Sequence, residues 1–130
     1  MKKYVALVLM FIAASVAMAA TTAKTASGHV SVYISDNRAV GLSISPNDPE
    51  EADQIALDKC VEFAVDDDKS SCVKAIEGVA KCVAVARSEQ GAWGAAMDET
   101  IKKASDMAIK TCKKYTKEKC VVDKAAKLCL

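Results

Sequence analysis

Ala52-Asp53-Gln54-Ile55-Ala56-Leu57-Asp58-Lys59-Cys60 and Ala104-Ser105-Asp106-Met107-Ala108-Ile109-Lys110-Thr111-Cys112 are the two stretches whose reading decides the fold. Both follow A-x-x-φ-A-φ-x-x-C, with φ apolar, at a constant offset of 52 residues. Upstream, Ala39-Val40-Gly41 matches Ala92-Trp93-Gly94 at an offset of 53. Downstream, Cys72-Val73 and Cys120-Val121 open comparable segments that end at Cys82 and Cys129. Several features in one order at one spacing point to an internal repeat, repeat one at about 29–82 and repeat two at about 83–130.

Each copy has a legible plan. Val30, Val32 and Ile34 alternate with other residues, Asp36-Asn37 offers a turn, and Val40, Leu42 and Ile44 alternate again, which reads as a hairpin of half-buried strands. Pro46 and Pro49 then break the strand. Asp48 suits an N-cap, Pro49 the first helical position, and Glu51 the return bond of a capping box. The helix is expected to bury Ala52, Ile55, Ala56 and Cys60 along one stripe. In the second copy Val83–Arg87 turns through Ser88-Glu89-Gln90-Gly91 into Ala92–Met97. Thr100 is the cap of its helix, and Ile101, Ala104, Ala108 and Cys112 face inward. Segments 72–77 and 119–128 carry both helix-favouring Ala and Lys and strand-favouring Val, and read as strands.

The N-terminus carries Lys2 and Lys3, an apolar run from Val5 to Ala14, and small residues around Ala17-Met18-Ala19. That is the pattern of a secretory signal peptide over 1–19, followed by a flexible lead over 20–28 and one domain over 29–130. The apolar run is short of the roughly 20 residues a membrane span needs, so no transmembrane segment is expected in the mature chain. Export implies an oxidising destination, periplasmic or extracellular, where an even number of cysteines reads as disulfides. All six (Cys60, Cys72, Cys82, Cys112, Cys120, Cys129) lie beyond the signal, and their intervals of 11, 9, 29, 7 and 8 residues do not suit zinc, whose ligands come as close pairs.

Two pairings compete. In the first, Cys60–Cys72 and Cys112–Cys120 tie each helix end to the segment that follows, and Cys82–Cys129 crosses between copies. In the second, Cys60–Cys82 and Cys112–Cys129 leave Cys72–Cys120 to cross. The first is preferred as the simpler, although spacing alone leaves both open.

The repeated A-V/W-G strand, the A-x-x-φ-A-φ-x-x-C helix and the C-V opening resemble the DUF4189 domain, a bacterial family of exported proteins, over about residues 38–130. The resemblance implies a tandem β-β-α-β arrangement and no activity. The chain departs from the family's aromatic-rich strands by keeping only Trp93, and carries an acidic loop at Asp66-Asp67-Asp68. The expected fold is therefore α+β: pseudo-symmetric β-β-α-β repeats in one disulfide-stapled domain, two helices packed on antiparallel sheet.

Charge is unevenly placed. Asp36–Glu99 holds six basic and fourteen acidic residues, a net of −8, and Thr100–Leu130 nine basic and three acidic, a net of +6. This argues against a nucleic-acid partner, which calls for a basic excess with aromatic or glycine-rich interleaving. The plainest reading is that the halves attract each other. A second is that Lys102, Lys103, Lys110, Lys113, Lys114 and Lys117 present a basic face to a protein or an anionic envelope polymer.

Candidate chemistry is sparse. The single histidine, His29, lies ahead of the first strand and reads as a surface residue. Asp66–Asp68 lacks the alternating spacing of a calcium loop. Trp93, equivalent to Val40, reads as a core strand position. No cofactor, metal or catalytic residue is assigned. The expectation is a non-enzymatic binding module. The alternatives are a small envelope hydrolase using loop carboxylates such as Asp98 and Glu99, or a secreted effector or toxin-neutralising protein.

Overall fold

A computed structural model describes residues 27–36, 39–64 and 71–130. The signal-peptide reading of 1–19, the lead as far as Ala26, the turn residue Asn37 and the Asp66–Asp68 loop lie outside them. The chain runs β1 (Gly28–Ser35), β2 (Val40–Ser45), α1 (Pro49–Phe63), β3 (Cys72–Ala80), β4 (Cys82–Arg87), β5 (Trp93–Asp98), α2 (Ile101–Lys113), a 3-10 turn (Lys124–Ala126) and β6 (Lys127–Cys129). The strands form two antiparallel three-stranded sheets, ordered β2-β1-β3 and β5-β4-β6, so the α+β class holds.

Period-two alternation covers both faces of each sheet. Val30, Val32 and Leu42 of the first sheet meet Val83 and Val85 of the second in one buried cluster. On the opposite faces, Tyr33 and Ala39 pack with Ala56 and Cys60 of α1, while Ala84, Ala86 and Ala96 pack with Ala104, Ala108 and Cys112 of α2. The result is four layers, helix on sheet on sheet on helix. No helix among the described residues is long and apolar enough to cross a membrane.

The helices sit unusually close. A Cβ on Gly41 would overlap the Ala56 carbonyl and the Cys60 nitrogen, and one on Gly94 the Ala108 carbonyl and the Cys112 nitrogen. This approach selects small inward residues, Ala52, Ala56 and Cys60 on α1. Ile55 does not join them. At 37% exposed it is pushed to the flank, because the seam is only wide enough for alanine and cysteine. In α2 Ile101 is half-buried, as expected of its inward face.

Local details correct the capping scheme. Asp48 accepts from the Glu50 and Glu51 amides, and Thr100 from the Lys103 amide. Glu51, however, does not return directly to the Asp48 amide. The Ser45 hydroxyl stands between them, accepting from the Asp48 amide (3.3 Å) and donating to the Glu51 carboxylate (2.7 Å). The loop from β5 to α2 is one residue shorter than that from β2 to α1, which accounts for the offset changing from 53 to 52.

Segment 119–128 also departs from expectation. Instead of a strand it makes one bridge, Val121 to Arg87, then the Lys124–Ala126 turn, and reaches β6 only at Lys127. The helix propensity of Lys-Ala-Ala wins locally because the turn buries Ala126 between the sheets.

Three disulfides join Cys60–Cys72, Cys112–Cys120 and Cys82–Cys129, and no described cysteine is free. The first two tie each helix end to the segment after it. Cys82 opens β4 and stands opposite Cys129 in the β4–β6 register. Counted by sheets, this third bridge closes within the second sheet rather than crossing between halves, because the chain passes from β3 to β4 through Lys81 alone.

Candidate interaction site

The six lysines singled out from the sequence all lie on α2 or its exit and are exposed. Among the described residues only Lys102 meets a carboxylate within 4.0 Å, Asp106 on its own helix at 3.4 Å. The other five have no ion-pair partner among the described residues, so the described acidic residues of the first half do not neutralise this face by contact. Lys110 and Lys113 fall in the last turn of α2, where the helix dipole favours cations.

Beside that turn runs a trough the sequence did not reveal. Trp93 is 36% exposed rather than core, because it opens β5, an edge strand of its sheet. With Gly91 and Ala92 it walls two adjoining hollows. One, of about 180 Å³, also touches Ile34, Ser35, Asp36, Val73 and Arg87. The other, of about 460 Å³, adds Ala75, Ile76, Ala95, Thr111 and Tyr115. Gly91 adopts φ +96°, a left-handed conformation that glycine tolerates, and so turns the β4–β5 hairpin at the mouth. Tyr115, just past α2, is 74% exposed and lines the larger hollow together with Trp93.

The matching flank of the molecule is closed. There the Lys124–Ala126 turn packs against β2, Ala126 is buried with Leu42, and Lys59 Nζ donates to the Leu42 carbonyl at 3.2 Å. The residues corresponding to Trp93 and Tyr115 are Val40 and Phe63.

A second feature missed from sequence is polar. Asp53 of α1 accepts from the hydroxyls of Ser31 and Tyr33, each at 2.9 Å, and pairs with Lys74 at 2.8 Å. Lys74 also reaches Glu77 at 3.0 Å and lies 5.9 Å from the Tyr33 ring centroid. The hydrogen bond from Lys74, helped by those from Tyr33 and Ser31, holds the Asp53 carboxyl below its usual range. Asp53 and then Glu77 push the Lys74 ammonium up. Burial, followed by the bond to Asp53, raises the Tyr33 phenol. At the positions 53 or 52 residues further on, the second half has Ala84, Ala86 and Ser105 where the first has Ser31, Tyr33 and Asp53. That mismatch between the halves is the signal that could have found the cluster.

The cluster reads as a clamp of α1 onto the first sheet. Asp53 and Lys74 side chains are 35% and 37% exposed, so solvent screens the pair and most of the effect rests in the two hydroxyl bonds. Replacing Asp53 with alanine is expected to cost about 1–2 kcal/mol at neutral pH. Because the folded carboxyl titrates below the unfolded value near 3.8, this contribution is present above that pH and is lost as pH falls through the folded value. Urea midpoints for wild type and Asp53→Ala should therefore differ at pH 7 and converge below about pH 4.

His29 lies within β1, opposite Ser45 and Val79, rather than ahead of the first strand. It shares a shallow hollow with Ser31, Asp53 and Glu77. Asp98 ends β5 and accepts from the Glu99 amide, and neither lines the trough. Among the described residues no group of three or more His, Cys, Asp or Glu is placed to hold a metal ion.

Comparison with known proteins finds no match among curated proteins and none among solved structures. The family model described as a domain of unknown function, DUF4189, matches residues 27–126 and so takes in both sheets and both helices apart from the final strand. The chain belongs to the DUF4189 family.

Proposed function

We propose that this chain is an exported, non-enzymatic binding module that works in the periplasm or outside the cell and attaches to a protein or an anionic envelope polymer. One observation carries the reading: exposed Trp93 and Tyr115 line an open trough beside a helix end whose lysines have no carboxylate partner among the described residues. Tryptophan and tyrosine left at a rim, with uncompensated charge nearby, are the usual material of recognition surfaces. Three disulfides suit an oxidising compartment. We further infer that the two halves descend from one duplicated unit. Their strand orders agree, and Gly41 and Gly94 meet their helices at corresponding atoms.

The test is co-sedimentation of the oxidised mature protein with purified cell envelope. Binding should fall steeply between 50 mM and 500 mM salt, as screening shortens from roughly 14 Å to 4 Å. It should also be lost when Lys110, Lys113, Lys114 and Lys117 are changed together to glutamate. Salt-independent retention would remove the electrostatic reading. Turnover of an envelope substrate that disappears in Asp98→Ala would replace the module with a hydrolase.

A further inference from the structure

The trough follows two strand edges. In the order β2-β1-β3 one outer strand is β3, and in β5-β4-β6 one is β5. Among the described residues each is hydrogen-bonded to a strand on one side only, and their free sides face the same depression. Val73 lines one hollow and Ala75 and Ile76 the next, so the depression extends along β3 for about 10 Å, the reach of three residues of extended chain. Small apolar side chains line it: Ala75 and Ala95, which also pack against the core between the sheets, and Ala92, which packs against the cluster beneath α2. A shallow channel with an apolar stretch from Ala75 to Tyr115, bordered by strands that among the described residues pair on one side only, has the shape of an extended peptide rather than of a compact metabolite.

Charge narrows the occupant. Lys110 precedes Thr111 in the wall and Lys114 precedes Tyr115, and neither has a carboxylate within 4.0 Å among the described residues. Resting on the binding-module reading above, we infer that the trough receives an extended segment of a partner protein. That segment places one aromatic or large aliphatic side chain between Trp93 and Tyr115, its backbone pairs with a free strand edge, and its acidic residues meet the lysines of the α2 exit.

A library of random peptides displayed on phage, panned against the oxidised mature protein, tests this. Enriched sequences should share an aromatic or aliphatic residue flanked by Asp or Glu. Synthetic copies should lose roughly tenfold or more in affinity against Tyr115→Ala and against Trp93→Ala. Tyr115 lies outside the helix and is largely exposed, so its variant guards against a folding defect at Trp93. Proline placed at alternate peptide positions, which removes a backbone N–H, should weaken binding at one phase of the alternation only. Failure to enrich peptides, or equal binding to both variants, overturns the inference. If a labelled polyanion binds while no peptide does, the module reading survives and the peptide assignment falls. If neither binds, both fall. A concentration-dependent dimer that Tyr115→Ala abolishes would give the trough to a second copy instead, again overturning the peptide.

Discussion

Gly41→Ala should destabilise the protein by about 3 kcal/mol or more, above the usual range for overpacking. The added methyl would enter the space of the Ala56 carbonyl and the Cys60 nitrogen, which are helix backbone and cannot swing aside as a side-chain tip would. Relief requires α1 to lift off the first sheet, drawing Ala52, Ala56 and Cys60 out of their seam. The same substitution at Gly91, where nothing lies within 4 Å, meets no atom and costs only the strain of its positive φ, about 1 kcal/mol. Gly94→Ala should behave like Gly41→Ala, through α2. Thermal and urea denaturation of the three variants, read side by side, checks the ranking. If Gly41→Ala melts with wild type, the close seating of α1 is wrong.

The second large effect concerns Cys82–Cys129, which closes 47 residues of chain. Chain-entropy reasoning assigns it about 4 kcal/mol, against about 3 for the shorter loops at Cys60–Cys72 and Cys112–Cys120. A loss of that size is a large fraction of the stability of a domain this small. The paired replacement Cys82→Ala/Cys129→Ala should lower the melting temperature by on the order of 20 °C. It should also expose the end of the chain, because β6 is only three residues long and pairs with β4 alone. Amide exchange should then rise first at Lys127–Cys129 and at the Leu130 amide, which donates to the Lys81 carbonyl. Unchanged protection there would show that packing, and not the bridge, retains this strand.

Much of the architecture was legible because it depends on local pattern. Alternation at Val30, Val32 and Ile34, the Asp48 and Thr100 caps, and alanine and cysteine at helical spacing each act over a few residues. Sequence reading failed where a distant partner decided the outcome. Ile55 fits an inward stripe until the closeness imposed by Gly41 excludes it. Trp93 fits a core strand until that strand is known to be an edge. Lys124-Ala125-Ala126 fits a strand only while the cavity that accepts Ala126 is unknown. Of the site, the lysines could be named in advance because charge is visible residue by residue. The trough could not be, since β3, β5 and the end of α2 meet there only after the two sheets have stacked.

The turn at Lys124–Ala126 has one further consequence, for valency. On the binding-module reading, filling one flank while the other stays open leaves, among the described residues, one trough of this kind to engage a partner. A chain with both flanks vacant would bridge two clients and knit them into a network. On the same reading, this one would mask or mark its partner rather than cross-link by that route.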